Sequence, residues 1–303
     1  MFNKSKNILV FKSDRVGDLI YFSPCLKILK DNFPESHITL VCSSYNYQIA
    51  KNYSFINRFI ILDKKNLIRC VFLNFKLFFL TKYKYLFQFD GKSYSYLISF
   101  FTRASIKSTI CFIKHKKILF FKYKLSRPSK FALNFFFDNY VFCDEKYSIS
   151  NNLKRTIHYQ TLYFDLLKNL NLKIESKKNI FSLDKKYKKL FQDFCLVHAK
   201  SPYMLFHFDE RWETFIQKDY DNVLGLLKKT SIKNNVIITT GMKNFSFLKQ
   251  LQIKFRTFEF QNNLFINLNK EKEKEKNNVI ILKKMPLNLL AYFIKNSEKN
   301  YSA

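Results

Sequence analysis

Apolar positions along this chain follow two alternating rhythms. Ile8, Leu9, Val10 and Phe11 make a β-branched and aromatic run that stops at Ser13-Asp14-Arg15, the pattern of a buried strand ending in a loop. After Gly17, Leu19, Phe22, Leu26 and Leu29 recur at spacings of three and four until Phe33-Pro34. That spacing predicts an amphipathic helix stopped by proline. Strand-like runs return at HITLVC (37–42), FIILD (59–63), YLFQFD (85–90) and STICF (108–112), with helical runs between them. Alternation of this kind predicts βαβ units and a parallel sheet.

Between about 113 and 150 the pattern blurs into aromatic and basic residues and predicts no definite element. Helical spacing returns over Arg155 to Leu170, and the polar stretch Asn171 to Asn179 reads as an interdomain linker. A second series follows, with strands at YMLFHF (203–208), NVIITT (235–240) and NVIILK (278–283) and helices near 215–229 and 286–294. The economical architecture is α/β, with two Rossmann-like domains at 1–170 and 187–303 and a linker over 171–186. The run KEKEKEK (270–276) reads as a solvated loop.

Glycine is scarce, with four in 303 residues, and three of them (Gly17, Gly91, Gly241) follow predicted strands. Ligands of open α/β sheets bind at that edge. Gly17 falls at a strand-to-helix turn, where a chain needs either positive φ or close approach to a ligand. Asp18 falls at the helix start, where the dipole favours a negative charge. The plainer explanation is that Asp18 caps the helix and Gly17 turns the chain. Of the five histidines, only His207, at the end of a strand, is placed to meet a ligand.

The chain carries 53 Lys+Arg against 23 Asp+Glu, a formal net charge of +30. Taken alone, that suggests nucleic acid or an anionic membrane. The basic residues are mostly Lys and spread through every segment beside abundant Phe, Tyr, Asn and Ile, as AT-rich coding would produce. No specific nucleic-acid site is therefore expected. Six cysteines are scattered without a CxxC pair, which predicts buried thiols and no metal site. The longest apolar run, CVFLNFKLFFL (70–80), is too short to span a bilayer. It predicts a core helix, with insertion at a membrane surface as the alternative. No signal-peptide stretch opens the chain, so a cytoplasmic location is expected.

Residues 8–34, ILVFKSDRVGDLIYFSPCLKILKDNFP, resemble the opening of glycosyltransferase family 9, the ADP-heptose:lipopolysaccharide heptosyltransferases. The match covers Lys12, Asp14, Arg15, Gly17, Asp18 and Pro24. YLFQFDGKSYS (85–95) is similar to a second family feature, and LFHFDERW followed by VIITTG is similar to a third. The resemblance implies a GT-B fold, two Rossmann-like domains with parallel sheets facing a cleft, and inverting transfer without metal or cofactor. Asp18 matches the family's general base. Asp14, Arg15, Gly17, Asp90, Gly91, Lys92 and Ser93 are expected on acceptor-side loops, and His207, Arg211, Lys218, Thr240 and Gly241 at the nucleotide-sugar donor.

The implied donor is a nucleotide-diphosphate sugar such as ADP-heptose. The implied acceptor is a lipopolysaccharide core or similar lipid-linked glycan, with peripheral contact to the anionic inner-membrane leaflet. Many family members carry Lys two residues before the tryptophan. This chain has Glu210 there, with Arg211 beside Trp212. The family's next elements after a segment like NLLAYFIKNS are a strand and a glycine-rich loop, whereas this chain stops at Ala303, so an incomplete second domain with little activity is expected. An inactive GT-B fragment and a basic non-enzymatic RNA- or membrane-binding protein remain the alternatives.

Overall fold

The computed structural model of the chain describes residues 7–118, 121–144, 159–176, 178, 180, 182–199, 202–208, 220–240, 255–268 and 279–302. The chain divides into two compact units, Met1–Ser182 and Leu183–Ala303. Each holds a mainly parallel sheet covered by helices, the doubly wound arrangement that the alternating pattern predicts.

In the first unit β1 (Asn7–Phe11), β2 (His37–Cys42), β3 (Arg58–Ile61), β4 (Tyr83–Gln88), β5 (Ala104–Ile118) and β6 (Phe121–Arg127) line up in the order β3-β2-β1-β4-β5-β6. The pairs are parallel except β5 with β6, and β7 (Asn139–Asp144) joins β5 in parallel. These last strands organise the stretch whose pattern predicted nothing. β1 sits at the centre, in register Val10 to Leu40 on one side and to Phe87 on the other. Strands covered on both faces read as continuous apolar runs, as β1 does.

Leu9, Phe11, Val41 and Leu86 form one core with residues of α3 (Leu67–Leu73), a π turn (Lys76–Leu80), α4 (Ser93–Phe101) and α5 (Lys130–Phe136). Phe89, just beyond β4, turns to the other face. There its ring lies 4.4 Å from Phe22 of α1 (Val16–Asn32) and 5.6 Å from Tyr163 of α6 (Tyr159–Lys168). α2 (Ser44–Ala50) opens on Ser43, whose side chain caps it by accepting from Asn46 N–H. The expected linker packs along this unit, with Ile180 N–H donating 2.7 Å to Ser23 and Tyr53 hydroxyl donating 3.0 Å to Ile180 carbonyl.

The second unit has β8 (Tyr203–Phe208), β9 (Asn235–Thr240), β10 (Arg256–Gln261), β11 (Leu264–Asn267), β12 (Val279–Lys283) and β13 (Lys299–Ser302) in the order β11-β10-β12-β9-β8-β13. Among its described helices are α7 (Lys186–His198), α8 (Tyr220–Lys233) and α9 (Leu287–Asn296). The expectation that a late strand is missing is corrected here. β13 follows α9 and pairs in parallel with β8 from Lys299 against Met204 to Ser302 against His207. Phe293, expected to lack partners, is fully buried among Phe191, Phe194 and Tyr203. The run KEKEKEK lies outside the described residues. No helix among the described residues is long and apolar enough to cross a membrane.

Candidate functional site

At the carboxyl end of β1 the chain leaves the sheet through Lys12, Ser13, Asp14 and Arg15 and enters α1 at Val16. Lys12 is fully buried. Its ammonium donates 2.8 Å to Asp14 Oδ2 and 2.6 Å to the Tyr163 hydroxyl, and it lies 4.6 Å from the centre of the Tyr163 ring. Burial is the strongest influence on Lys12 and works to lower its pKa, but the combined pull of Asp14 and Tyr163 leaves it above the usual lysine value. The loop is therefore built over a fixed positive charge. A buried lysine of this kind is sustained only by partners this close.

Asp14 answers to opposing forces. Burial pushes its carboxyl up to about 6, Lys12 pulls it down, and the Asp18 and Asp90 carboxylates add their repulsion. Its Oδ2 takes the Lys12 bond, while Oδ1 is buried without a hydrogen-bond partner among the described residues. Buried carboxylate oxygens are rarely left so, and a raised carboxyl in a strand-end loop marks a candidate functional group.

Asp90 ties the second loop to the first. It is fully buried. Ser13 donates to its Oδ2 from the backbone N–H at 3.1 Å and from the hydroxyl at 2.5 Å, and Ser95 donates at 3.1 Å. Gln88 and Lys92 N–H donate to Oδ1, each at 3.2 Å. Lys92 returns a bond from its ammonium to the Ser13 carbonyl. With both oxygens engaged, Asp90 shapes the edge from beneath, while Lys92 keeps part of its surface exposed and Gly91 and Ser93 are exposed. A Cβ at Gly91 would meet the Phe112 ring at 3.3 Å, tighter than ordinary contact.

Asp18 lies in the first turn of α1 and is half-buried. The capping explanation is corrected, because Arg15 occupies the cap position and Asp18 makes no hydrogen bond or ion pair among the described residues. Gly17 is corrected too. It is the second residue of the helix, has no positive φ, and a Cβ there would meet nothing within 4 Å among the described residues. What its position leaves is open space beside Asp18. The helix N-terminus, Asp18, Asp14 and the exposed Arg15 thus share one sheet edge.

In the second unit His207 Nδ1 lies 2.8 Å from Thr239 Oγ1, the two being cross-strand partners near the carboxyl ends of β8 and β9. Thr240 is buried between its register partners Phe208 and Lys283. Arg211, Lys218 and Gly241 lie outside the described residues. Sequence reasoning missed Tyr163, Ser13, Gln88 and Ser95. Ser13 and Ser95 stand within the quoted motifs, but nothing in the pattern tied Tyr163 to Lys12.

No family model matches the sequence, and no curated protein matches it. Solved structures do match. The fold is similar to that of the glycosyl transferase family 9 protein from Veillonella parvula, with a TM-score of 0.68 and 15% identity over 98% of this chain and 74% of that one. E. coli ADP-heptose LPS heptosyltransferase II gives a TM-score of 0.58 and 12% identity over 98% of this chain and 78% of that one. E. coli heptosyltransferase WaaC with ADP gives 0.57 and 14% over 98% and 80%. The chain therefore has a GT-B-type fold.

Proposed function

We propose that the protein is an inverting glycosyltransferase that moves a heptose or related sugar from a nucleotide-diphosphate donor to a lipopolysaccharide core or similar glycan. One observation carries this reading. In a chain with the GT-B fold, Asp18, which makes no hydrogen bond or ion pair among the described residues, stands in the first helical turn at the edge where ligands of open α/β sheets bind.

The proposed chemistry follows from that carboxylate. Asp18 accepts the proton of an acceptor hydroxyl as its oxygen attacks the anomeric carbon. The bond from that carbon to the diphosphate oxygen breaks, and the nucleoside diphosphate leaves with the electron pair. General-base assistance of this kind is worth about 10²- to 10⁴-fold. Asp14, half-satisfied and carrying the charge of Lys12 behind it, sets the field in which Asp18 works. In the second unit, His207, Thr240, Arg211, Lys218 and Gly241 are assigned to the donor, where basic side chains and backbone N–H groups would meet the charge growing on the diphosphate. The step as written uses no metal.

The test is turnover of ADP-heptose by the full chain with a lipopolysaccharide-core acceptor, followed by Asp18→Asn. The expected result is loss of turnover by at least 100-fold with ADP affinity, read by calorimetric titration, nearly unchanged. A variant as active as the parent would overturn the role of Asp18. An inert parent that also binds no ADP would overturn the function.

A further inference from the structure

One face of the first unit carries far more apolar surface than its packing uses. α3 and the π turn after it bury Cys70 and Phe78 against the sheet, yet Ile68 is 86% exposed, Phe72 79% exposed and Phe75 half exposed. The expectation of a core helix is thus only half met. α4 buries Tyr96 and leaves Phe101 outside, and α5 buries Leu133 and leaves Phe131 and Phe135 outside. All three segments pack on the same core. α4 touches the π turn. Phe101 and Phe135 meet at Phe136, at 6.4 and 4.8 Å, and Phe131 stacks on Phe135 at 6.1 Å. The outer side chains therefore stand on helices that cover one face of the sheet, and an exposed apolar surface of this kind marks an interaction site.

Charge decides what covers it. Between Lys64 and Lys84 there are six basic residues and no carboxylate. Lys64, Lys65, Arg69 and Lys76 are exposed. Within α3, Ile68 and Phe72 are four apart and share a face, with Arg69 beside them, while Lys64, Lys65, Phe75 and Lys76 flank the helix at its two ends. A second copy would bring a further +30 charge against these cations, and like charge opposes that association. An anionic bilayer surface supplies both things the face asks for, phosphates for the cations and an acyl boundary for the rings.

We propose that this face docks the protein onto the surface of an anionic phospholipid bilayer, with Ile68, Phe72, Phe75 and the Phe101, Phe131 and Phe135 rings entering the headgroup boundary. The cations of α3 and its flanks lie against lipid phosphates. The docking stands independently of the sugar-transfer reading, since it needs no residue of the strand-end loops.

Co-sedimentation of the full chain with vesicles tests it. The chain should bind phosphatidylglycerol-containing vesicles at least tenfold more strongly than pure phosphatidylcholine vesicles. The double variant Phe72→Ser/Phe75→Ser should lose at least tenfold in partitioning with a thermal transition that moves only slightly, because Phe72 lies largely outside the core and Phe75 half outside it. Lys64, Lys65, Arg69 and Lys76 all changed to Gln should lose binding. The same number of changes at Lys185, Lys186, Lys188 and Lys189 should leave most of it. Equal losses from the two lysine sets would overturn the proposal in favour of bulk charge. Absence of vesicle binding by the parent would overturn it outright, as would self-association abolished by the Phe72 and Phe75 changes.

Discussion

Lys12 and Tyr163 meet 2.6 Å apart across 151 residues of sequence, ammonium to phenol, inside the first unit. That contact and the 2.8 Å bond to Asp14 hold a fully buried positive charge directly beneath the candidate site. Removing the cation should leave Asp14 facing a low-dielectric pocket alone. Lys12→Met is expected to cost about 3–5 kcal/mol near neutral pH.

The pH dependence of that loss has a definite sign. Asp14 has its carboxyl raised to about 6 in the folded parent, so by itself it favours the fold below its unfolded value and loses that contribution as pH rises through about 6. Without Lys12 the carboxyl goes higher still, and the variant's folded state then holds a proton that the parent has released. The penalty of Lys12→Met should therefore be smallest and flat below pH 6 and grow as pH rises above it. Denaturant unfolding of parent and variant at pH 5 and pH 8 checks this, and a penalty that shrinks with rising pH would contradict the pair.

Asp90→Asn tests the tie between the two loops. Five donors converge on the Asp90 oxygens, and an amide would turn one of its own donors into them. Bonds to a carboxylate are worth about 1.5–3 kcal/mol each, and part of the set survives in any amide orientation. A loss of about 2–4 kcal/mol is expected. Hydrogen exchange at the Ser13 and Lys92 amides should accelerate before the rest of the sheet opens. If those amides stay as protected as the strands, Asp90 does not fasten the loops.

Much of this was legible because the central strands are apolar without interruption. NVIITT and YMLFHF state their own boundaries, and α1 shows its period down to Phe33. The hairpin of β10 and β11 was missed because its two-residue turn is Asn262-Asn263, both with positive φ, without the glycine that usually announces such a turn. α7 was missed because lysines crowd its first turn. Yet Phe191 and Phe194, three apart, are its buried side. At the site, local spacing put Asp18 at the start of α1, where it stands, while its assignment as a base came from the family resemblance alone. The burial of Lys12 could not be read from spacing, since it depends on Tyr163, and no local pattern records a contact of that sequence separation. The CVFLNFKLFFL run misled for a related reason. Its composition reports hydrophobicity but not how much of it the sheet has room to cover.

Phe293 anchors the second core, with its ring 5.0 Å from Phe191 and 5.7 Å from Phe194, while its carbonyl accepts 2.7 Å from the Tyr203 hydroxyl. Phe293→Ala should cost about 3–5 kcal/mol, since the space left by a fully buried ring closes only in part. Calorimetry should place that loss in the unfolding of the second unit. A shift below about 1 kcal/mol would mean that α9 does not pack against the sheet as described.

Gly17 separates the demands of folding from those of ligand approach. It has no positive φ, and among the described residues a Cβ there meets nothing within 4 Å. An alanine would fit, and it forms helix better than glycine by up to about 1 kcal/mol. If only the fold mattered, Gly17→Ala would be neutral or stabilising and nothing else would change. A ligand that must reach Asp18 meets a different constraint, because the added methyl occupies the open space beside the helix N-terminus. The expected outcome is a thermal transition equal to or above that of the parent, together with a kcat/KM reduced at least tenfold. Retained turnover in the more stable variant would show that Gly17 serves only the helix, and the approach to Asp18 would then have to come from the side of Asp14 and Arg15.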